Sequence, residues 1–386
     1  MTFNSRLRWG ALLTAGALAV PVAAAHAAPQ QTLQQAVTAK VSAAKTSKVL
    51  ATFKDAAVQV NVTRGAGTDA VFGTTVALVP QGQDTHPEGW LFAARLVDGK
   101  WQVGLEGERA FSDLTAASPV MSGKEKQLFA PQAAGGDFRT GMRLPFANGA
   151  SWSMPGGAHG WAGTDTPYSS VDLSGGNGQV LAARGGTAYT MCGNGKGWIR
   201  VIHDRGYATD YYHLSGNIAA NGLAVSEGTF LGNIGTDVSC GGSASGPHVH
   251  FALRQNSAYV GIAGHNVGGW VFQQSSAYNG TALHGSTVRS PGQQLFNYGA
   301  LGFTQGIIDS NGGGTVNKRT GPGTNYALAG SIADATTVNI ACSKNGTSHS
   351  GRWGTTSLWN RLSDGTWVSD AFMWTGLSTP VNGTCP

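Results

Sequence analysis

The sequence predicts a mainly β protein made of antiparallel sheets, and three observations carry that expectation. The 386 residues include 58 glycines and 11 tryptophans, and only 12% of them are charged. This is a turn-rich, aromatic-rich composition unlike that of a helical bundle. Strand-like apolar runs recur between glycine turns in residues 137–302, where no stretch shows a long 3.6-residue period. The length predicts two or three domains. A net charge of +5 falls to +2 from Asp137 onward, where 13 Lys and Arg face 11 Asp and Glu. No basic cluster interleaves with aromatic residues, so nucleic acid is not an expected partner.

Taken in order, the chain opens on an export signal, residues 1–27. Arg6 and Arg8 precede an apolar, alanine-rich stretch from Trp9 to Ala25, and Ala25-His26-Ala27 supplies a small-x-small cleavage site. Nothing later has the roughly 18 uninterrupted apolar residues of a membrane span. The expected product is a secreted, extracellular protein, a monomer with no membrane span, in a compartment that permits disulfides. Residues 28–136 begin with an amphipathic helical pattern (Leu33, Val37, Val41). Two strand-like runs follow, Ala56 to Val62 and Trp90 to Leu96, and Asp98-Gly99 sets up a hairpin to Trp101. They read as a small α+β module without cysteine and without a catalytic constellation. A linker, Ala130 to Gly136, then leads into the next segment and suits processing. The module is expected to be a propeptide; a separate binding domain is the other reading.

Residues 137–302 hold the chemistry. Trp198 to Ile202 and Ala208 to Tyr212 read as strands joined by the turn Asp204-Arg205-Gly206, and a further strand ends at Leu253. The run Ser245-Gly246-Pro247-His248-Val249-His250 enters that strand. A period of two puts His248 and His250 on one face, about 7 Å apart, so either or both rings could reach one ion. His159 lies in the loop Gly156-Gly157-Ala158-His159-Gly160. Asp172 starts a short extended run, and His213 ends the run Tyr211-Tyr212-His213-Leu214. A hydrolytic zinc site needs three protein ligands and an open fourth position. Two histidines and one carboxylate would supply it, leaving two histidines for proton transfer and oxyanion stabilisation.

Together these motifs resemble the lysostaphin-type zinc metallopeptidases, nearest the branch of β-lytic protease and staphylolysin. They are His159 with Asp172, Tyr211-Tyr212-His213-Leu214, and Ser245 to His250, with the spacing of Val225 to Gly228 and Leu231 to Gly235. The resemblance spans roughly residues 138–300. It implies one zinc per chain held by His159, Asp172 and His250, and a catalytic pair, His213 and His248, with His248 beside the metal and not on it. It implies a downstream tyrosine able to donate to the oxyanion, and Tyr278 falls near the matching place. It further implies a substrate, the peptide cross-links of bacterial peptidoglycan, cut by metal-activated water with the two histidines assisting. The glutamate base of an H-E-x-x-H helix is absent, so histidines must do that work. Glycine-rich protein is an alternative substrate, and a non-catalytic cell-wall scaffold is the alternative class.

His203 is expected to be structural, and His265, His284 and His349, in Gly/Ser/Asn-rich loops, are expected to face solvent. Tyr211 and Tyr212 read as packing on one sheet face and groove wall on the other. Four cysteines allow three connectivities, and pairing within each segment gives Cys192–Cys240 and Cys342–Cys385. Residues 303–314 read as a linker. From Thr315 to Pro386, short strands separated by Gly321-Pro322-Gly323 and Asp364-Gly365 suggest a small barrel. Val316 to Gly323 and Trp367 to Phe372 resemble the bacterial SH3-like domain, with Lys318 where an apolar residue is usual. That resemblance implies a cell-wall targeting module.

Overall fold

The computed structural model describes Met1 and residues 31–44, 47–130 and 137–386. The expected export signal beyond Met1 and the expected processing linker beyond Ala130 lie outside the described residues. The N-terminal module contains α1 (Leu33–Ser42), α2 (Lys48–Thr52), β1 (Val58–Arg64), β2 (Ala70–Ala77), β3 (Glu88–Val97), β4 (Lys100–Leu105), α3 (Arg109–Ala117) and α4 (Gly123–Leu128). Thr32 and Gln35 cap α1 reciprocally, and the helix buries Val37 and Val41. Strands β1–β4 form an antiparallel meander in chain order. The β3–β4 hairpin turns on Asp98 and Gly99, both at positive φ.

The central segment runs through β5 (Arg139–Met142), β6 (Ser151–His159), β7 (Ser170–Ser174), β8 (Gln179–Leu181), β9 (Gly186–Thr190), β10 (Gly197–Ile202), β11 (Tyr207–Leu214), β12 (Asn221–Val225), β13 (Phe230–Asn233), β14 (Val249–Gln255) and β15 (Ala258–Tyr259). Nine strands form its main sheet. The order is β12-β9-β10-β11-β14-β7-β6 followed by Gln294–Phe296, with β15 paired to β14. All these pairings are antiparallel.

The period of two sorts the side chains of this sheet onto two faces. Ile199 and Val201 of β10, Tyr211 of β11, and Val249, Phe251 and Leu253 of β14 enter one core with Trp152, Met154 and Trp270. On the opposite face lie Trp198, Ile202, Ala208, Tyr212 and Ala252, and these pack against Phe72, Val76, Leu91, Phe111 and Phe129 of the N-terminal module. The module thus covers the face on which His250 stands. Charge follows the same division. Arg200, fully buried, bonds Asp210 on β11 and Glu106 just after β4, and Glu125 of α4 accepts from Tyr189 and pairs with Arg64.

The C-terminal residues form a seven-stranded sheet over Ile308, Val316, Val338, Ile340, Leu362, Val368 and Met373. The stretch read as a linker contributes one of these strands, Gln305–Ile308, because Ile307 and Ile308 are an apolar pair that both bury. Both disulfides, Cys192–Cys240 and Cys342–Cys385, are formed. Among the described residues no helix is long and apolar enough to cross a membrane.

Candidate functional site

Three neighbouring strands bring together the residues singled out in the sequence. Asp172 on β7 is the direct cross-strand partner of His250 on β14, and Tyr212 on β11 is the partner of His250 on its other side. His159 ends β6, whose pairing with β7 slips at Gly156 and again before His159. These slips aim the ring back over Asp172. A Cβ on Gly156 would lie 2.4 Å from Asp172 Oδ2, and one on Gly157 would lie 2.1 Å from the Gly280 carbonyl oxygen. The small side chains before His159 are what permit that approach.

His159 Nε2 lies 3.1 Å from His250 Nδ1 and 3.5 Å from Asp172 Oδ1, and His250 Nδ1 lies 3.0 Å from Asp172 Oδ1. Donors about 2.1 Å from a tetrahedral zinc ion stand about 3.4 Å apart, so the three atoms are spaced as zinc ligands are. The donor chemistry agrees. His159 Nδ1 donates to the Gly157 carbonyl at 2.6 Å, which leaves the Nε2 lone pair facing an ionised carboxylate. Burial alone would raise the Asp172 pKa, but the adjoining His159 and His250 rings outweigh it and hold the carboxyl well below its usual range. Lone pairs converging on one buried point are a cation's environment. Among the described residues this trio is the group able to hold a metal ion.

His248 and His213 stand beside it. His248 Nδ1 bonds the Gly246 carbonyl at 2.7 Å, and its Nε2 lies 3.6 Å from Asp172 Oδ1. His213 Nδ1 bonds the Asp237 carbonyl at 3.0 Å, and its ring centroid is 4.7 Å from that of His248. His213 sits at φ +65°, in the left-handed region, at the end of β11. Burial, then the nearby His86 and His248, pushes its pKa well below the ordinary value. Tyr278, also at positive φ, stacks its ring on His159 at 4.0 Å. Burial raises its pKa, helped by the Asp84 and Asp172 charges.

The remaining histidines divide. His203 is buried with both nitrogens bonded, to the Gly185 carbonyl and to Thr209 Oγ1, and burial lowers its pKa to about 4. His265 and His284 do not face solvent: His265 packs on Phe138, and His284 stacks on Tyr298 while bonding the Gly269 carbonyl. Loop composition misjudged them, because these loops fold back onto the sheet. His349 lies half-buried on a strand against Trp359.

Sequence reasoning missed His86. The module read as lacking chemistry sends this residue into the site, with Nε2 3.1 Å from His213 Nε2 and a ring centroid 4.3 Å from that of His250. Two signals could have found it. It is the only histidine of residues 28–136, and Pro87 behind it favours extended backbone.

Comparison with known proteins agrees with this geometry. Residues 166–262 match Peptidase family M23. Protease LasA of Pseudomonas aeruginosa is 39% identical over 138 residues, a match covering 33% of this chain and 32% of that protein. The chain thus spans about a third of the length of the first relatives it matches. Beta-lytic metalloendopeptidase of Lysobacter enzymogenes is 34% identical over 141 residues, covering 33% of this chain and 77% of the relative. A solved structure described as the M23 metalloprotease pseudoalterin, from the deep sea, is 32% identical. It covers 40% of this chain and 97% of its own, with a TM-score of 0.38. With the metal-ligand trio lying inside or beside the matched region, and a relative matched over most of its length, this chain belongs to peptidase family M23, a family of metallopeptidases.

Proposed function

We propose that the protein is a secreted zinc-dependent endopeptidase that cleaves peptide cross-links of bacterial peptidoglycan. The observation that carries the proposal is the His159–Asp172–His250 trio, with donor atoms 3.0–3.5 Å apart and two further histidines beside it. Zinc bound there would act as a Lewis acid, polarising the scissile carbonyl and acidifying water. The chain's own residues supply the rest. His248 has its Nδ1 engaged on the Gly246 carbonyl, so its Nε2 is free to take a proton from the attacking water. His213, held by Asp237 in the same way, meets His86 through its Nε2 in the intact chain, and once His86 leaves that nitrogen would relay the proton taken up by His248 to the leaving amine. Tyr278 fixes the His159 ring by stacking and has its hydroxyl for the oxyanion.

In this reading residues 28–136 are a propeptide, and 137–302 the peptidase domain. Residues 315–386 are an SH3-like module that holds the enzyme on the cell wall. Removing the propeptide uncovers Tyr212 and Trp161, which then wall the groove.

The test pairs zinc content with lytic activity on the processed protein. One zinc per chain is expected, with turbidity loss of bacterial cells abolished by chelator and restored by zinc. His213→Ala should keep its zinc and lose at least about 100-fold in turnover. Loss of zinc in that variant would overturn the assigned role. Stoichiometric zinc with cleavage of glycine-rich protein and no lysis would move the substrate off the cell wall.

A further inference from the structure

Between β2 and β3 the N-terminal module does not turn tightly; it crosses the site. Residues 79–87 run from one rim of the groove to the other, and each rim holds them by the backbone. On the first rim, Val79 N donates to the Cys240 carbonyl at 3.3 Å and Gly82 N to the Gly242 carbonyl at 2.8 Å, with Gln81 bridged to Gly242. The fit is close. A Cβ on Gly241 would lie 1.9 Å from the Val79 carbonyl oxygen, and one on Gly242 2.4 Å from that of Thr85. On the second rim, Trp161 Nε1 donates to the Pro87 carbonyl at 2.7 Å, and a Cβ on Gly163 would stand 3.1 Å from the Asp84 carbonyl oxygen. The segment turns at Gly82 and bends at Asp84 and Thr85, so one β-bridge and two backbone hydrogen bonds fasten it to the first rim while it folds over the groove.

His86 lies at the centre of that crossing. It is buried, at 7% exposure, and its Nδ1 is 2.5 Å from the Trp161 carbonyl oxygen. Its other nitrogen reaches His213 Nε2 at 3.1 Å. Its ring meets four aromatic side chains, Trp161, Tyr212, His213 and His250. His213 has no exposed surface while His86 is in place. The buried His250 Nε2, which has no hydrogen-bond partner, lies on the ring that His86 covers.

We propose that His86 is an intramolecular plug: it occupies the position in the substrate groove where the reacting peptide would meet His213, so that the intact chain is latent until residues 79–87 leave. The proposal rests on the peptidase reading of the site for its functional meaning, but the plug itself is a matter of access to His213. His86 Nε2 faces His213 Nε2 at 3.1 Å and His86 is outside the trio that could hold an ion, so the plug is assigned to His213. Leaving the groove also frees the Cys240–Gly242 edge for an incoming strand.

The experiment uses the full chain, checked as uncleaved by mass, in three forms: wild type, His86→Ala and His86→Gln. The glutamine variant keeps a group able to bond the Trp161 carbonyl, in case alanine disturbs the loop. Each is treated with diethyl pyrocarbonate and mapped for modified histidines, and each is assayed on bacterial cell walls. His203, buried with both nitrogens bonded, reports the intact fold by staying unmodified. In both variants His213 should become modified at least about tenfold faster than in the wild type, as expected for loss of a buried hydrogen bond and the ring that makes it. Hydrolysis by the uncleaved variants should rise over the uncleaved wild type by a similar factor. If His213 stays as protected in both variants as in the wild type, the plug is overturned. It is equally overturned if the uncleaved wild type already hydrolyses walls as fast as the processed form. If His213 is unmasked but neither uncleaved nor processed protein hydrolyses any wall, the plug stands and the proposed cell-wall activity falls.

Discussion

Single residues set the tolerances of this site, and Gly156 sets the tightest. It faces Asp172 across the β6–β7 pair, and any side chain there meets the carboxylate that completes the trio. Gly156→Ala is expected to weaken zinc binding at least tenfold while leaving the far-UV spectrum and melting temperature nearly unchanged, because only side chains, the Asp172 carboxylate and the Tyr278 ring, have to move. A zinc titration against a competing chelator checks this, and unchanged affinity would show that Asp172 tolerates displacement. His213 illustrates the opposite economy. A histidine at φ +65° costs on the order of 1 kcal/mol, and it is held there by its bond to the Asp237 carbonyl. The H-x-H pair was legible from its spacing, which also left His248 open as a ligand. In the structure His248 stands just before β14 with its Nε2 3.6 Å from Asp172 Oδ1, while the group that could hold an ion is His159, Asp172 and His250; spacing along the chain does not say which of the two histidines joins it.

At the scale of elements, the proposed ligands sit on strands and the rims on loops, and the two should fail separately. Cys240 and the rim that follows it lead into His248, and the Cys192–Cys240 bridge ties that rim to the end of β9. Replacing both cysteines by serine should cost roughly 2–4 kcal/mol of stability, read in a urea melt. It should leave zinc affinity within about threefold, since β6, β7 and β14 hold the ligands by ladder hydrogen bonds. An equal loss of zinc would mean that the rim positions His250. The strands themselves were legible as period-two runs and turn residues, and so were the hairpins at Asp98-Gly99 and Asp204-Arg205-Gly206. The strand Ala70–Ala77 was not read, because burial on both faces erased the alternation that marks a half-exposed strand.

For the whole molecule, the question is what holds the N-terminal module on the peptidase face. Apolar packing does most of it, and buried charges fix the register. Glu125 makes one such contact. Burial by itself would raise its pKa, but the Arg64 hydrogen bond, then those of Tyr189 and Ser122, bring it down to about 2 from an ordinary 4.5. A folded pKa below the unfolded one stabilises the folded state above pH 4.5, here by about 3 kcal/mol, and that contribution drains away as pH falls toward 2. Glu125→Gln should therefore lower the melting temperature at pH 7 and narrow its gap to the wild type as pH falls below 4.5. A constant gap across that range would assign the effect to packing. Glu106 works across the same boundary, neutralising Arg200 and lying 3.7 Å from Arg254, so departure of the module leaves both guanidiniums to Asp210 and water.

The sequence by itself determined the β class, the H-x-H run at the head of a strand and the short list of ligand candidates, and it made pairing of cysteines within segments the simplest of three connectivities. Each of these is local, or is a matter of residue type at a fixed spacing, and local periodicity survives in one dimension. Only the tertiary structure brought His159, Asp172 and His250 within 3.5 Å across 91 positions of chain. Only it placed His86, 127 positions from His213, in the groove. Those distances depend on strand order, two slips of register and the docking of one sheet on another. None of these is encoded by a neighbouring residue; all are set by which faces the whole chain can bury at once.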